Sequence, residues 1–111
     1  MPLLFGPKNS RYTYTGSTCP HNDLALPSEA KTLGEAIREY ERAFNVLVAP
    51  CLEPLPGESE VKYFTVTERE SRIQYIVDIH VFRGESEICP KQDTSFALND
   101  GDLVELGELV C

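Results

Sequence analysis

The chain has 111 residues, of which 41% are hydrophobic and 25% are charged, so it is long enough for one domain and too apolar to be disordered. Acidic residues outnumber basic ones by 18 to 10, which gives a formal net charge of −8. Such a surface repels phosphate groups, and the basic residues are scattered along the sequence. We therefore expect neither nucleic acid nor a membrane surface as a partner.

The amino-terminal segment, residues 1–10, contains Pro2, Gly6 and Pro7, which oppose regular structure, so a flexible arm is predicted there. It lacks the basic segment and long apolar run of a signal peptide, and no stretch of the chain approaches the length of a membrane span. The four cysteines form no Cys-x-x-Cys pair. Without export, we expect reduced thiols and a cytoplasmic protein.

A single amphipathic helix is predicted to begin at Thr32, after short strands at residues 11–15 and 24–26. Thr32 and Glu35 match the capping box, in which the two side chains satisfy free backbone N–H groups at the helix start. An apolar helical face follows, formed by Leu33, Ala36, Ile37, Tyr40 and Phe44. This face is expected to pack on a sheet.

The remainder of the chain is predicted to consist mainly of strands, because β-branched and aromatic residues dominate between the turn signals. These strands are expected at residues 46–48, 61–67, 73–82, 87–88 and 103–106. Val77, Ile79, Val81 and Leu106, with Val104 or Leu103, are expected beneath the helix. One helix on one mixed sheet buries both apolar faces, so the predicted fold class is α+β.

The last third of the chain resembles a known superfamily. The stretch Ile76–Gly84, the short piece Glu85–Ile88 and the step Leu98-Asn99-Asp100-Gly101-Asp102-Leu103-Val104 look like the end of a β-grasp, ubiquitin-like domain. They are most similar to the sulfur carriers of thiamin and molybdopterin biosynthesis. The predicted strands and helix at residues 11–44 also fit the first half of that fold.

The resemblance implies a single β-grasp domain at residues 11–106, with residues 46–72 as an extra segment and residues 107–111 as a mobile tail. It also implies a function, namely a protein modifier or carrier in a bacterial conjugation or sulfur-transfer system. The partner would be an E1-like adenylating enzyme that engages the carboxyl terminus. No cofactor is expected, and the free protein is expected to be a monomer.

The tail departs from the superfamily's pattern, because the carriers and modifiers end in two glycines and this chain ends Gly107-Glu108-Leu109-Val110-Cys111. Gly107, Val110 and Cys111 are the candidate conjugation residues, with Cys111 supplying the activated carboxylate or a reactive thiol. The missing diglycine favours an alternative. In it, the same fold serves as a non-covalent binding or assembly module, such as a virus or phage assembly factor.

A candidate partner-binding surface lies on the polar side of the longest predicted strand, where Ile76, His80 and Phe82 alternate with the core residues. His80 is expected at the sheet surface. Ile76 and Phe82 are expected to be exposed unless residues 46–67 cover them, and exposed apolar residues mark contact sites.

Catalytic and metal sites are not predicted. Cys19 and His21 have the spacing of the first half of a zinc site, but no second close pair follows. Cys51 and Cys89 are expected to be small buried hydrophobic residues. A cysteine–histidine nucleophile pair is conceivable in any chain that holds both residues, but no constellation here indicates an enzyme.

Overall fold

The computed structural model describes residues 3–5 and 25–107, with side chains described from Ser28 to Gly107. Within these residues the chain forms one helix and seven strands. In chain order they are β1 (Leu3–Phe5), β2 (Ala25–Pro27), α1 (Leu33–Phe44), β3 (Val46–Pro50), β4 (Phe64–Glu68), β5 (Gln74–Arg83), β6 (Ser86–Ile88) and β7 (Leu103–Gly107). The described part of the chain is therefore α+β, as predicted.

The strands form one mixed sheet in the order β2–β1–β7–β5–β4–β3, and β6 pairs with β5 beside β4. β1 and β7 are parallel, with Leu3 opposite Leu103. The other pairings among the described strands are antiparallel. β5 is the hub of the sheet, because it pairs with β7 over Asp78–Phe82 and with β4 over Gln74–Val77.

The helix begins at the predicted cap. Thr32 is the N-cap residue, and its hydroxyl oxygen accepts a hydrogen bond from the backbone N–H of Glu35 at 3.3 Å. The Thr32 hydroxyl in turn donates to Glu35 Oε2 at 3.2 Å. The predicted N-cap at Thr32 is therefore confirmed, but the Glu35 carboxylate binds the Thr32 hydroxyl instead of the backbone N–H that a capping box requires. The helix ends at Asn45, which adopts the left-handed conformation with φ of 54° and turns the chain directly into β3.

The core lies between α1 and one face of the sheet. From the helix it takes Leu33, Ala36, Ile37 and Tyr40, all buried. From the sheet it takes Val46, Phe64, Val66, Tyr75, Val77, Ile79, Val81, Val104 and Leu106. The predicted positions beneath the helix are thereby confirmed, and each such fully buried aliphatic side chain stabilises the fold by about 1.5–3 kcal/mol.

The loop between β6 and β7 is docked on the start of the helix. The backbone N–H groups of Leu33 and Gly34 donate to the carbonyl oxygens of Phe96 and Thr94, at 2.9 Å and 2.8 Å. A β-carbon added at Gly34 would lie 3.2 Å from Thr94 O, so glycine permits this close approach. The loop thus satisfies helix N–H groups that have no partner within the helix itself.

Several predicted boundaries are corrected by the structure. Leu3–Phe5 is a strand, so the prediction of a flexible arm over residues 1–10 is wrong at these positions. Gly107 is the last residue of β7 and is buried, so it does not begin a mobile tail. The predicted strand at residues 11–15 lies outside the described residues.

The extra segment predicted at residues 46–72 adds the antiparallel hairpin β3–β4 to the edge of the sheet beside β5. The connection between the two strands contains Cys51 and Tyr63. Their carbonyl oxygens accept hydrogen bonds from the side-chain amide of Gln92, in the β6–β7 loop, at 3.0 Å and 2.9 Å.

In the described ranges, α1 falls short of the length and apolar character needed to cross a bilayer.

Candidate protein-binding surface

The two faces of β5 have different surroundings, because successive side chains of a strand point to opposite faces. Tyr75, Val77, Ile79 and Val81 belong to the core beneath the helix. The intervening residues Ile76, Asp78, His80 and Phe82 therefore lie on the face that points away from α1, which we call the far face. The sequence prediction placed the three candidate residues on this face.

His80 is not at the surface of the protein, and the expectation that it would be exposed is wrong. The residue is only 1% exposed, and Asp78 on the same face is buried as well. His80 Nδ1 lies 2.8 Å from Glu87 Oε1, and Nε2 lies 3.7 Å from Asp78 Oδ2. Glu105, the cross-strand neighbour of His80, is also buried.

These polar residues come from three strands. His80 and Asp78 belong to β5, Glu87 to β6 and Glu105 to β7. The imidazole is enclosed within the protein. Simple alternation of apolar and polar residues predicts a solvated far face, and it fails here because Asp78 and His80 are buried and the imidazole is paired with Glu87.

Ile76 and Phe82 are both half-buried, but they do not form one continuous patch with His80. They lie six residues apart on β5, about 20 Å along an extended strand. The buried Asp78 and His80 lie between them on the far face. Phe82 stacks on the His80 ring with centroids 6.2 Å apart, so one side of its ring packs against the buried polar residues.

Around Ile76 the far face is extended by the hairpin. Ile76 is the cross-strand neighbour of Thr65, and Thr65 is the neighbour of Ala49. In the next row, Leu47 lies opposite Thr67. We call these five residues, Leu47, Ala49, Thr65, Thr67 and Ile76, the hairpin face.

The hairpin face is open to solvent at its outer side. Leu47 is 47% exposed, Ala49 is exposed, and the other three residues are half-buried. The segment at residues 46–67 lies beside Ile76 in the sheet, so it widens this surface instead of covering it. Leu47 and Ala49 were absent from the predicted site, although the alternation at residues 46–48 contained the signal.

The two described cysteines, Cys51 and Cys89, are not the small buried hydrophobic residues that were predicted. Cys89 is disulfide-bonded, so reduced thiols and a buried, hydrophobic role are wrong for this residue. Its bonding partner lies outside the described residues. Cys51 is free and half-buried, and burial raises the pKa of its thiol, which makes it a weak nucleophile.

The remaining candidate residues contribute nothing to this surface in the described part of the chain. Val110, Cys111, Cys19 and His21 all lie outside the described residues. Among the residues that are described, no group of three histidine, cysteine or acidic side chains could hold a metal ion.

No protein-family model, no curated protein and no solved structure matches this chain. The proposed function is therefore inferred from the hairpin face and its geometry.

Proposed function

We propose that this chain is a β-grasp, ubiquitin-like domain that binds a protein partner non-covalently through the hairpin face. The strand order β2–β1–β7–β5 supports the fold, because parallel first and last strands lie side by side and the helix packs on one face. The hairpin β3–β4 is then an addition at the sheet edge. The resemblance of residues 76–106 to sulfur carriers supports the same assignment.

The observation that carries the binding proposal is the uncovered apolar surface at Leu47, Ala49 and Ile76. Leu47 is among the few exposed large apolar side chains of the described residues, and it shares a rigid sheet face with Ile76. Thr65 and Thr67 lie between these residues on β4 and add side-chain hydroxyl groups to the same surface. Apolar residues that share one solvent-accessible sheet face favour a contact site.

Site-specific photo-crosslinking tests this proposal in an extract of the native host. A photoreactive amino acid is placed at Leu47 in one variant and at Leu52 in the control. Leu52 is a matched control because it is 90% exposed and lies in the connection after β3, away from the hairpin face. We expect an adduct with a discrete protein at Leu47 and none at Leu52.

The crosslinked protein is then purified and its affinity is measured directly. Leu47→Asp should raise Kd by about tenfold or more, equivalent to about 1.4 kcal/mol, and Leu52→Asp should leave Kd unchanged. Equal effects of the two substitutions, or an adduct at Leu52 alone, would contradict the proposal.

A second candidate function follows from the same strand order, because sulfur carriers and modifiers also end on a central strand. In that case an E1-like enzyme adenylates the carboxyl terminus, and Cys111 supplies the carboxylate. The test is incubation with such an enzyme and ATP, comparing the full chain with a variant lacking Cys111. Adenylation of the full chain would establish the carrier function, and its absence would leave the non-covalent binding domain.

A further inference from the structure

The carboxyl-terminal half of α1 and the β4–β5 turn enclose a cationic groove on the helix side of the molecule. It has a volume of about 360 Å³ and is lined by Arg38, Glu41, Arg42, Asn45 and Arg69. We call it the arginine groove. It lies on the opposite side of the sheet from the hairpin face, so it is independent of the proposed function.

Three guanidinium groups at one concavity are unusual on this protein, whose formal net charge is −8. Among the described residues, Arg38, Arg42 and Arg69 form no ion pair, whereas Arg83, Lys62 and Lys91 each do. Arginine presents a planar fork of N–H donors that suits bidentate binding of carboxylate groups. The groove therefore offers donors without an internal anion to occupy them.

The acidic residue of the groove is already engaged by the backbone. Glu41 Oε2 accepts a hydrogen bond at 2.9 Å from the backbone N–H of Val48 in the edge strand β3. The groove wall is also fixed, because the backbone N–H of Arg69 donates to the carbonyl oxygen of Asn45 at 3.3 Å. A formal charge of about +2 remains among the lining side chains after Glu41 is counted.

Helix stability alone does not explain this arrangement. Arg42 lies in the last turn of α1, where a cation interacts favourably with the helix dipole. Arg38 lies one turn earlier and four residues from Arg42, a spacing at which like charges destabilise a helix by about 0.2–0.5 kcal/mol. Arg69 comes from the β4–β5 turn and has no role in the helix.

A second cleft of mixed polar and apolar lining, which includes Gly34 and Thr94, continues from the arginine groove along the side of the helix. It has a volume of about 280 Å³, shares Arg38 and Glu41 with the groove, and is also lined by Ile37, Val48, Pro50 and Phe64. The combined site is therefore cationic at one end and partly apolar at the other. Such a gradient suits a short peptide with acidic and aliphatic side chains better than an inorganic anion, which would use the cationic end alone.

We propose that the arginine groove and its partly apolar extension bind an acidic segment of a protein partner, with aliphatic side chains in the cleft beside Val48 and Pro50 and carboxylates against the arginines. Added-strand pairing at β3 is disfavoured at Val48, because Glu41 already accepts its N–H. The peptide is therefore recognised by its side chains. A long polyanion such as nucleic acid is repelled by the surrounding negative surface.

The test uses fluorescence anisotropy with a labelled peptide that carries adjacent leucines at one end and adjacent glutamates at the other. We expect saturable binding that weakens as salt rises above about 0.1 M. Arg69→Glu, and Arg38→Glu combined with Arg42→Glu, should each raise Kd by about tenfold or more. The matched control is Arg72→Glu, an exposed arginine of the same turn that does not line the groove.

Amide chemical-shift mapping with the same peptide keeps the test independent of any effect of the substitutions on folding. Shifts should concentrate at Ile37–Val48 and Phe64–Arg69, and leave Leu103–Gly107 unchanged. Absence of binding, or an equal loss of affinity in Arg72→Glu, would overturn the proposal. Displacement of the peptide by inorganic phosphate or by short single-stranded DNA at a lower concentration than unlabelled peptide would overturn it in favour of a phosphate site.

Discussion

Arg83 donates two hydrogen bonds to Asp102, from Nε to Oδ1 at 3.0 Å and from Nη2 to Oδ2 at 2.8 Å. The backbone N–H of Asn99 donates to the same Oδ2 at 2.8 Å, and Arg83 Nη2 also donates to the carbonyl of Ala97 at 3.1 Å. The end of β5 is thereby fastened to the turn that leads into β7. The hydrogen bond from Arg83 lowers the pKa of Asp102, and the Asp102 carboxylate raises the pKa of Arg83.

Acid should therefore weaken the fold through Asp102. The folded-state pKa of this carboxyl lies below its unfolded value, so the stabilisation is present above about pH 4 and is lost as pH falls through the folded pKa. Asp102→Asn should cost about 2 kcal/mol in the free energy of unfolding at neutral pH. When the free energy of unfolding is measured with urea, the difference between this variant and the wild type should become smaller at lower pH.

Glu53→Gln is the control for this experiment, since it removes one exposed carboxylate without touching the Arg83 contact. It should shift the free energy of unfolding by less than about 0.5 kcal/mol at any pH. If the difference in free energy of unfolding between the wild type and Asp102→Asn stays constant as pH falls, the proposed role of Asp102 is wrong.

Alkali should weaken the fold through Tyr63. Burial of the phenol, together with its hydrogen bond to Glu58 Oε1 at 3.1 Å, raises the pKa of Tyr63 to about 12. An unfolded tyrosine ionises near about pH 10, so stability is present below that pH and is lost as pH rises towards 12. Phenylalanine cannot ionise, so the free energy of unfolding of Tyr63→Phe should fall by about 1–2 kcal/mol less than that of the wild type as pH rises from 10 to 12. Parallel stability curves for the two proteins between these pH values would refute the assignment.

Reduction should destabilise the protein through Cys89. Its disulfide constrains the unfolded chain, so Cys89→Ser should cost about 2–4 kcal/mol, measured by thermal unfolding. A reductant should lower the Tm of the wild type and leave that of Cys89→Ser unchanged. Cys51→Ser is the control, because Cys51 is free and its variant should respond to the reductant as the wild type does. Alkylation of Cys89 in unreduced, folded protein would show that the bond is absent.

Ile76→Asp should weaken binding of the partner found by crosslinking by about tenfold or more, because it places a charge in the hairpin face. The unfolding transition should remain cooperative, since Ile76 is only half-buried. Phe82→Asp tests whether the partner also contacts the other end of β5. Equal weakening by Phe82→Asp would mean that the partner spans both ends of the strand, and no effect from Ile76→Asp would exclude the hairpin face.

Local sequence signals predicted the elements whose causes are local. Thr32 and Glu35 identified the start of the helix, and the alternation through residues 73–82 identified β5 to within one residue at each end. Leu3–Phe5 was missed because Pro2, Gly6 and Pro7 flank it. Its strand character comes from pairing with β7, a partner about a hundred residues away that no local window contains.

The candidate sites were harder to predict because they depend on contacts between distant segments. His80 looks like a surface residue in its own strand, and its pairing with Glu87 of the next strand offsets the cost of its burial. The arginine groove combines Arg38 and Arg42 with Arg69, which lies 27 residues further along the chain than Arg42. In the sequence these arginines are scattered, and only the fold brings them to one concavity.

The pairing of Leu3–Phe5 with Leu103–Glu105 also determines when this protein can fold during its synthesis. β1 has no parallel partner until β7 has left the ribosome. The helix likewise waits for Thr94 and Phe96 to satisfy the N–H groups of its first turn. Most of the chain must therefore emerge before the sheet can close, and such long-range closure slows folding relative to locally connected domains. Until then the hydrophobic face of α1 has no complete sheet to pack against, and such transiently exposed surface makes the nascent chain prone to aggregation.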